Sequence, residues 1–410
     1  MFNGLTFHIS TVGCRLNQAE SDALRGYLLK QGAKPVDFET RTPDLLFINT
    51  CAVTATAERT SLTFIRAGSA LKPKPRLIIL GCLVARTPEL IAAIPGVDEY
   101  WPSELKNRIL AGQTPVPARS RALLKVQDGC DHTCAYCIVR KLRGAPISIP
   151  PEQVLDQFEQ LLNSGYQEIV LTGLNLGLYQ STGTNLARLI KKLLKKPGNF
   201  RLRLASIEPD LFTDELLALL PDPKICAHFH IPLQSGDDLL LKQMGRNYTT
   251  SDYARLLEKI LTLRPDACLG ADIITGFPGE DEPSFNRTCQ FLNSIPFTYL
   301  HVFPYSPRPD TPAFKSGDPI PKPVKKQRVK ILRHFSENRR RQYARKFAGT
   351  RRYAILEPDG QALTDNYLRL TCPNVPRFCR AGALVPLLIN LAGEKLIGTI
   401  EEEKICAIKT

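Results

Sequence analysis

Cys130-Asp-His-Thr-Cys134-Ala-Tyr-Cys137 is the most specific pattern in the sequence, because it places three cysteines within eight residues. Three thiolates on such a loop can hold three irons of a cubane iron–sulfur cluster and leave the fourth iron open. Clusters that only transfer electrons use four cysteines, so an open iron indicates that a substrate or cofactor binds there. A zinc site completed by His132 is the alternative, but a single residue between His132 and each neighbouring cysteine is a poor ligand spacing.

Alternating strands and helices surround this segment, and the cysteines follow directly after the first of these strands. The predicted strands are Leu123 to Gln127, Glu168 to Leu171, Arg201 to Ala205, His228 to Leu233, Leu269 to Ile274 and Tyr299 to Pro304. The predicted helices include Pro151 to Asn163, Asn185 to Leu194, Asp214 to Leu219, Ser251 to Leu263 and Glu282 to Leu292. Six βα units without a glycine-rich dinucleotide turn favour a complete or partial α/β barrel, with chemistry at the carboxyl ends of its strands.

The first hundred residues alternate in the same way and predict an open, mostly parallel sheet. The predicted strands are Leu5 to Val12, Asp44 to Ile48 and Arg76 to Leu80, and the predicted helices are Gln18 to Lys30 and Val53 to Leu71. Each strand is followed by a cysteine, namely Cys14, Cys51 and Cys82. Because the carboxyl ends of parallel strands share one edge of a sheet, the three thiols could converge there. Three separate core thiols are the alternative.

Basic residues are concentrated towards the C-terminus. The sequence contains 54 Lys and Arg against 40 Asp and Glu, a net charge of +14, which indicates a polyanionic partner such as nucleic acid. Thirteen of the basic residues, but only one acid, Glu337, lie between Lys322 and Arg352. A basic helix is predicted from about Val324 to Phe347, and a solvated helix face beside the barrel is the alternative explanation of its charge. The strands predicted after it fit a small antiparallel barrel: Tyr353 to Leu356, Tyr367 to Thr371, Leu384 to Ile389 and Lys395 to Glu401.

Composition limits the class of protein. With 410 residues, of which 43% are hydrophobic, the chain is long enough for about three globular domains. No apolar run approaches the roughly 18 residues of a membrane span, and the N-terminus has no secretory signal, so we expect a cytoplasmic protein without a membrane partner. Six of the twelve cysteines are expected to be core or incidental, and among them only Cys372 and Cys379 merit a test for metal: Cys226, Cys268, Cys289, Cys372, Cys379 and Cys406.

The Cys130 segment resembles the signature of the radical S-adenosylmethionine superfamily, in which the open iron of a [4Fe–4S] cluster binds S-adenosylmethionine. Together with Cys14, Cys51 and Cys82, the resemblance narrows to the methylthiotransferases, whose N-terminal domain holds a second [4Fe–4S] cluster that also lacks one ligand. This resemblance implies an auxiliary-cluster domain over residues 1–112, a radical S-adenosylmethionine domain over 121–345, and a small β-barrel of the RNA-binding TRAM type over 348–410.

Further segments at predicted strand ends are similar to motifs of the same family, such as Leu204-Ala-Ser206-Ile-Glu208 and Asp272-Ile-Ile-Thr-Gly276. The resemblance implies that Tyr136 lies near the adenine of S-adenosylmethionine. The other residues that it implies for this pocket are Gly173, Asn175, Ser206, Gln234 and Arg246. Each of these could equally be a turn or cap residue.

The sequences around Cys14 and Cys51, Gly13-Cys14-Arg15-Leu16-Asn17 and Asn49-Thr50-Cys51-Ala52-Val53, are similar to those of the methylthiotransferases that act on threonylcarbamoyladenosine in tRNA. The resemblance implies that one S-adenosylmethionine methylates a sulfur on the auxiliary cluster. A second is cleaved at the Cys130 cluster, and the resulting radical takes hydrogen from C2 of adenine 37. The implied partners are the tRNA anticodon loop and a low-potential electron donor.

The carboxylate of such a substrate needs a charged or multiply hydrogen-bonded partner when it is buried. Arg143 and Arg308, both predicted at the open end of the barrel, are the candidates for that partner, and the alternative is that they serve structure or bind phosphate. Three alternative functions remain at this point: methylthiolation of isopentenyladenosine in tRNA, methylthiolation of a ribosomal protein, and a non-catalytic iron–sulfur protein that binds RNA.

Overall fold

The N-terminal part of the chain folds into a parallel sheet, as predicted. A computed structural model describes residues 2–401, so that Cys406 lies outside the described residues. Five strands pair in parallel in the order β2-β1-β3-β4-β5. The elements of this region are β1 (Thr6–Thr11), α1 (Arg15–Lys30), β2 (Lys34–Pro35), β3 (Leu45–Thr50), α2 (Ala55–Ser69), β4 (Arg76–Gly81), α3 (Cys82–Arg86), α4 (Pro88–Ala92), β5 (Glu99–Tyr100) and α5 (Ser103–Leu110).

Helices cover both faces of this sheet, which explains why its central strand is apolar along its whole length. Alternate residues of β3 point to opposite faces. Leu46 and Ile48 pack in the core formed with α2, α3 and α4, whereas Leu45 and Phe47 pack in the core formed with α1 and α5. The sheet is therefore buried on both sides, and only its edges are left to form a site.

The central part of the chain forms an open six-stranded barrel. Two parallel sheets, β6-β9-β12 and β13-β14-β15, are joined where the backbone N–H of Cys226 donates to the carbonyl of Leu202 at 2.8 Å. The elements are β6 (Ala122–Lys125), β7 (Gln127–Asp128), α6 (Val139–Arg143), β8 (Ile147–Ser148), α7 (Pro151–Asn163), β9 (Glu168–Thr172), β10 (Gln180–Ser181), β11 (Thr184–Asn185), α8 (Leu186–Leu194), β12 (Arg201–Leu204), α9 (Asp214–Leu217), β13 (His228–His230), α10 (Asp238–Gln243), α11 (Thr250–Leu263), β14 (Cys268–Thr275), α12 (Glu282–Ser294) and β15 (Tyr299–Pro304). The partial barrel predicted from the sequence is confirmed.

A long helix leads from this barrel to a second, smaller one. The small barrel is closed in the order β16-β17-β18-β20-β19, and its pairs are antiparallel except for β18 with β20. The elements are α13 (Lys322–Arg345), β16 (Arg351–Leu356), β17 (Gln361–Thr364), β18 (Arg369–Thr371), β19 (Leu384–Ala392) and β20 (Lys395–Ile400). Cys372 is buried in the core of this barrel. Within residues 2–401, no helix is both long and apolar enough to cross a membrane.

The turn between β17 and β18 inserts into the amino-terminal end of the six-stranded barrel. Arg203 donates to the carbonyl oxygens of Thr364 and Asp365 at 3.0 Å, and it also pairs with Glu168 at 2.7 Å. Arg201 donates to Glu168 as well, at 2.5 Å. Burial opposes the ionisation of Glu168, but the two guanidinium groups outweigh it and hold the pKa of this carboxyl well below its usual range.

Replacing Glu168 with Gln is expected to lower the free energy of unfolding by about 3–5 kcal/mol, because two buried guanidinium groups lose their counterion. Denaturant unfolding at neutral pH measures the change. The matched control is Glu159→Gln on α7, whose ion pair with Lys196 is exposed and should contribute less than about 1 kcal/mol. Equal effects of the two substitutions would contradict a structural role for Glu168.

Candidate functional site

The three N-terminal cysteines lie together at the carboxyl edge of the parallel sheet. Cys51 directly follows β3, Cys14 precedes α1, and Cys82 begins α3, so the neighbouring strands β1, β3 and β4 each deliver one thiol. Cys51 and Cys82 are buried, and Cys14 is exposed. Their thiols are close enough for each to influence the ionisation of Cys51. The sequence prediction that these cysteines converge agrees with this placement.

Glycines before two of these cysteines make the close approach possible. Gly13 has a φ of +117°, and a Cβ at this position would lie 2.7 Å from the Cβ of Cys51. Gly81 has a φ of +100°, and a Cβ there would lie 2.4 Å from the carbonyl oxygen of Thr50. A side chain at either position would therefore push the thiols apart as well as strain the backbone.

A buried ionic network joins this edge to the six-stranded barrel. Arg143, at the end of α6, donates from Nε to the Sγ of Cys82 at 3.3 Å and from Nη1 to Glu20 at 2.5 Å. Glu20 also pairs with Lys106 at 2.7 Å and Lys125 at 3.0 Å. Burial raises the pKa of Glu20, but the surrounding cations outweigh this and set the pKa well below its usual range. Glu20 is thus the shared counterion of this network, and the sequence analysis did not identify it.

These contacts overturn the prediction that Arg143 and Arg308 bind a substrate carboxylate. Arg143 is already paired with Glu20 and Asp128, and its side chain is 5% exposed. Arg308 is equally engaged, since it donates to the carbonyl of Ala52 at 2.8 Å and to Glu58 at 2.7 Å. Both arginines thus hold the loops that carry Cys82 and Cys51.

The second cysteine loop lies between β7 and α6. Arg246 donates to the Sγ of Cys134 at 3.2 Å, and His132 hydrogen-bonds to the same thiol. Burial opposes ionisation of Cys134, but His132 and Arg246 outweigh it and lower the pKa of this thiol. Burial raises the pKa of Cys137 to about 12. Three soft thiol donors, two of which resist ionisation without a cation, fit an iron–sulfur cluster, while His132 serves as a hydrogen-bond partner of Cys134.

Three of the residues predicted for the S-adenosylmethionine pocket surround this loop. Arg246 forms an ion pair with Glu208, and its Nη1 lies 3.5 Å from the hydroxyl of Tyr136. Asn175 is buried with its Nδ2 at 4.0 Å from the Sγ of Cys130, and its Oδ1 has no hydrogen-bond partner within the described chain. An unpartnered amide oxygen beside the cysteine loop is what a polar cofactor would satisfy.

Two other predicted pocket residues, Gly173 and Ser206, line a cavity of about 290 Å³ at the carboxyl ends of the barrel strands. The same cavity is lined by Cys14 from the N-terminal sheet, and by Arg15 beside it. Gln234, the sixth predicted residue, has a φ of +71°, and its backbone pairs with Asp272 and Ile274 at the end of β14. The cavity therefore joins the carboxyl ends of the barrel strands to Cys14, the exposed cysteine of the N-terminal set.

The cavity wall also holds a cluster that the sequence analysis did not predict, formed by His230, Asp272 and His301. The Oδ1 of Asp272 lies 2.9 Å from Nε2 of His230 and 3.3 Å from Nδ1 of His301. Burial opposes ionisation of Asp272, but the two imidazoles outweigh it and hold its pKa well below the usual range. Asp272 is thus a fixed anion in the cavity wall.

Fewer of the basic residues between Lys322 and Arg352 are exposed on the surface than the sequence suggests. Lys325 and Arg328 are buried in ion pairs with Asp318 and Glu280. Arg339 donates to the carbonyl of Asn293 at 2.9 Å and so closes the end of α12. Four exposed cations line a hollow of about 230 Å³ between α13 and the small barrel: Arg340, Arg341, Arg345 and Arg369.

Both cysteine-bearing regions of the chain match the models of known protein families. Residues 124–292 match the family model described as the Radical SAM superfamily, and residues 6–101 match that described as Uncharacterized protein family UPF0004. The chain is 33% identical to the threonylcarbamoyladenosine tRNA methylthiotransferase MtaB of Thermotoga maritima, over 86% of each chain. It is 36% identical to the protein of the same name from Bacillus subtilis, over 84% of this chain and 82% of that one. The chain belongs to the MtaB methylthiotransferase family.

Solved structures confirm the fold of this MtaB-family chain. The radical S-adenosylmethionine methyltransferase TsrM from Kitasatospora setae, with cobalamin and a [4Fe–4S] cluster bound, is 16% identical, with a TM-score of 0.52 and coverage of 76% of this chain and 77% of that one. The cobalamin-dependent radical enzyme OxsB has a TM-score of 0.51, at 14% identity and coverage of 80% and 56%. At these identities the likeness concerns the fold alone.

The family assignment makes this MtaB-family chain a radical S-adenosylmethionine enzyme and a methylthiotransferase. Radical enzymes of this superfamily use S-adenosylmethionine and a [4Fe–4S] cluster. The thiols of Cys130, Cys134 and Cys137, with the amide of Asn175 beside them, provide a donor set that fits both.

Proposed function

We propose that the protein transfers a methylthio group to C2 of N6-threonylcarbamoyladenosine at position 37 of tRNA. The proposal uses two S-adenosylmethionine molecules and two [4Fe–4S] clusters, held by Cys14, Cys51 and Cys82 and by Cys130, Cys134 and Cys137. The observation that carries it is the cavity between the N-terminal sheet and the six-stranded barrel, which Cys14 lines together with Gly173 and Ser206. A base in this cavity would lie between a sulfur-delivering cluster and the cofactor that activates its carbon.

The role of the protein in this proposal is alignment, because the cofactors carry the chemistry. When bound, the cluster at the Cys130 loop supplies the electron for reductive cleavage of S-adenosylmethionine. Arg246 fixes the position of Cys134, and Arg143 fixes that of Cys82, so that the two thiol sets keep a constant separation. Correct placement of reacting groups contributes several kcal/mol to a rate, on the order of 7–11 at best. We assign no side chain as a general acid or base.

The proposal assigns one task to each region of the chain. Residues 1–112 hold the auxiliary cluster, residues 121–345 hold the radical cluster and S-adenosylmethionine, and residues 348–410 contact tRNA. The exposed arginines between α13 and the small barrel support the last assignment, since cations beside a small barrel suit the phosphates of an anticodon stem. A low-potential electron donor completes the set of partners.

Cells that lack this protein are expected to lose the methylthio form of threonylcarbamoyladenosine from digested tRNA, while the unmodified precursor accumulates. Mass spectrometry of the nucleosides resolves both species. Loss of a methylthio derivative of isopentenyladenosine instead would assign the other tRNA substrate. Intact tRNA nucleosides, together with a ribosomal protein lighter by one methylthio group, would assign a protein substrate.

A further inference from the structure

Arg15 differs from the other arginines around the two cysteine sites. Arg143, Arg246 and Arg308 are each paired with a buried or half-buried carboxylate. Arg15 is half-buried in the wall of the cavity, and within residues 2–401 no Asp or Glu forms an ion pair with it. It therefore brings an unneutralised positive charge to the place where the substrate base would lie.

The guanidinium of Arg15 is held by the C-terminal barrel. Its Nη2 donates to the hydroxyl of Tyr367 at 3.3 Å. Tyr367 is itself fixed, because its ring stacks on that of His228 with 3.9 Å between the centroids. A guanidinium held by a neutral hydroxyl keeps its other N–H groups available for an anion. Arg15 is thus oriented without being neutralised.

Asp272 gives the cavity a second, opposite charge. It is held by His230 and His301, and it lines the same cavity as Arg15. A ligand that fits both groups carries a carboxylate for Arg15 and N–H or O–H donors for Asp272. The threonylcarbamoyl group has this chemistry, with one carboxylate, two ureido N–H groups and one hydroxyl.

We propose that Arg15 is the residue that recognises the carboxylate of the substrate's N6 substituent, with Asp272 as acceptor for its N–H or O–H groups. This inference rests on the proposed function, since it concerns the same base in the same cavity. Arg15 directly follows Cys14, so the carboxylate would be bound beside the site that delivers sulfur. The segment that carries Cys14 and Arg15 would then both recognise the N6 substituent and place the adenine ring.

The test compares the binding of three anticodon stem-loop RNAs to the anaerobically reconstituted full-length protein, with S-adenosylmethionine and no reductant. The RNAs carry threonylcarbamoyladenosine, its neutral threonine-amide analogue, or adenosine at position 37. The wild type is expected to bind the carboxylate RNA at least about tenfold more tightly than the amide RNA, as a charge-assisted hydrogen bond implies. Arg15→Gln should bind these two RNAs equally, and Arg15→Lys should retain part of the preference.

Arg25→Gln is the matched control, because Arg25 lies on the same helix α1 but outside the cavity. It should keep the wild-type preference. Iron content reports whether any variant has lost a cluster. If Arg15→Gln loses iron, the comparison of the carboxylate and amide RNAs on the wild type and on Arg15→Lys still decides the question.

Three results would overturn the role of Arg15. The first is a wild type that binds the carboxylate and amide RNAs with equal affinity. The second is an equal loss of affinity for all three RNAs in Arg15→Gln, which would indicate a phosphate contact. The third is weaker binding of S-adenosylmethionine by Arg15→Gln with an unchanged preference among the RNAs. A separate turnover assay on the carboxylate RNA keeps the two proposals apart. Turnover without discrimination refutes only the role of Arg15, whereas discrimination without methylthiolation refutes the proposed reaction.

Discussion

Replacing Cys130, Cys134 and Cys137 together with Ala is expected to remove half of the bound iron and to abolish cleavage of S-adenosylmethionine. The reconstituted wild type should bind about eight irons, because two cubane clusters contain four each. Iron analysis and chromatographic detection of 5′-deoxyadenosine after reduction measure the two effects. The effect on cleavage should be complete, since the open iron that would bind S-adenosylmethionine is lost with this cluster.

Two matched variants make this experiment specific. Replacing Cys14, Cys51 and Cys82 with Ala should also halve the iron, but 5′-deoxyadenosine should still form while methylthio transfer is lost. Replacing Cys289, a half-buried thiol on α12, should leave both quantities unchanged. Full iron in the Cys130 triple variant, or unimpaired cleavage, would be incompatible with the assigned cluster.

Changing Arg340, Arg341 and Arg345 to Gln is expected to weaken tRNA binding and to make it much less dependent on salt. Each phosphate contact contributes roughly 0.7–0.9 to the slope of log affinity against log salt concentration, so the slope should fall by about two units. Binding measured across a salt series gives the slope directly. Arg339 is left out because its guanidinium closes α12.

The control for that variant removes three exposed charges elsewhere. Lys191, Lys192 and Lys195 lie on or directly after α8, far along the chain from the small barrel, and their replacement by Gln changes the net charge equally. An equal fall in slope for both variants would mean that overall charge, not the hollow beside the small barrel, attracts the RNA.

Regular periodicity explains which parts of the fold could be predicted. Helix α7 has the predicted bounds, because its apolar positions repeat every three or four residues and Pro151 begins it. Strands β2 and β5 were not predicted, since two residues are too few to form a pattern. Strand β17 was also missed.

The site residues that could be predicted lie close together in the sequence, whereas the ones that were missed or misinterpreted depend on partners far away in the chain. Cysteine spacing within one loop, or directly after a strand, is visible in the sequence and predicted both thiol sets. Arg143 and Arg308 were misinterpreted because their partners, Glu20 and Glu58, lie 123 and 250 positions away. The proposed roles of Arg15 and Asp272 were missed for the same reason, since only the tertiary fold brings helix α1 and strand β14 to one cavity.

Insertion of the β17–β18 turn into the large barrel sets an order for synthesis on the ribosome. Arg201 and Arg203 are translated some 160 positions before the backbone carbonyls of Leu363, Thr364 and Asp365 that accept their hydrogen bonds. Until that turn emerges, the nascent barrel presents two arginines whose final partners do not yet exist. The catalytic barrel therefore reaches its finished form only after translation of the small barrel, even though domains usually fold in the order in which they are made.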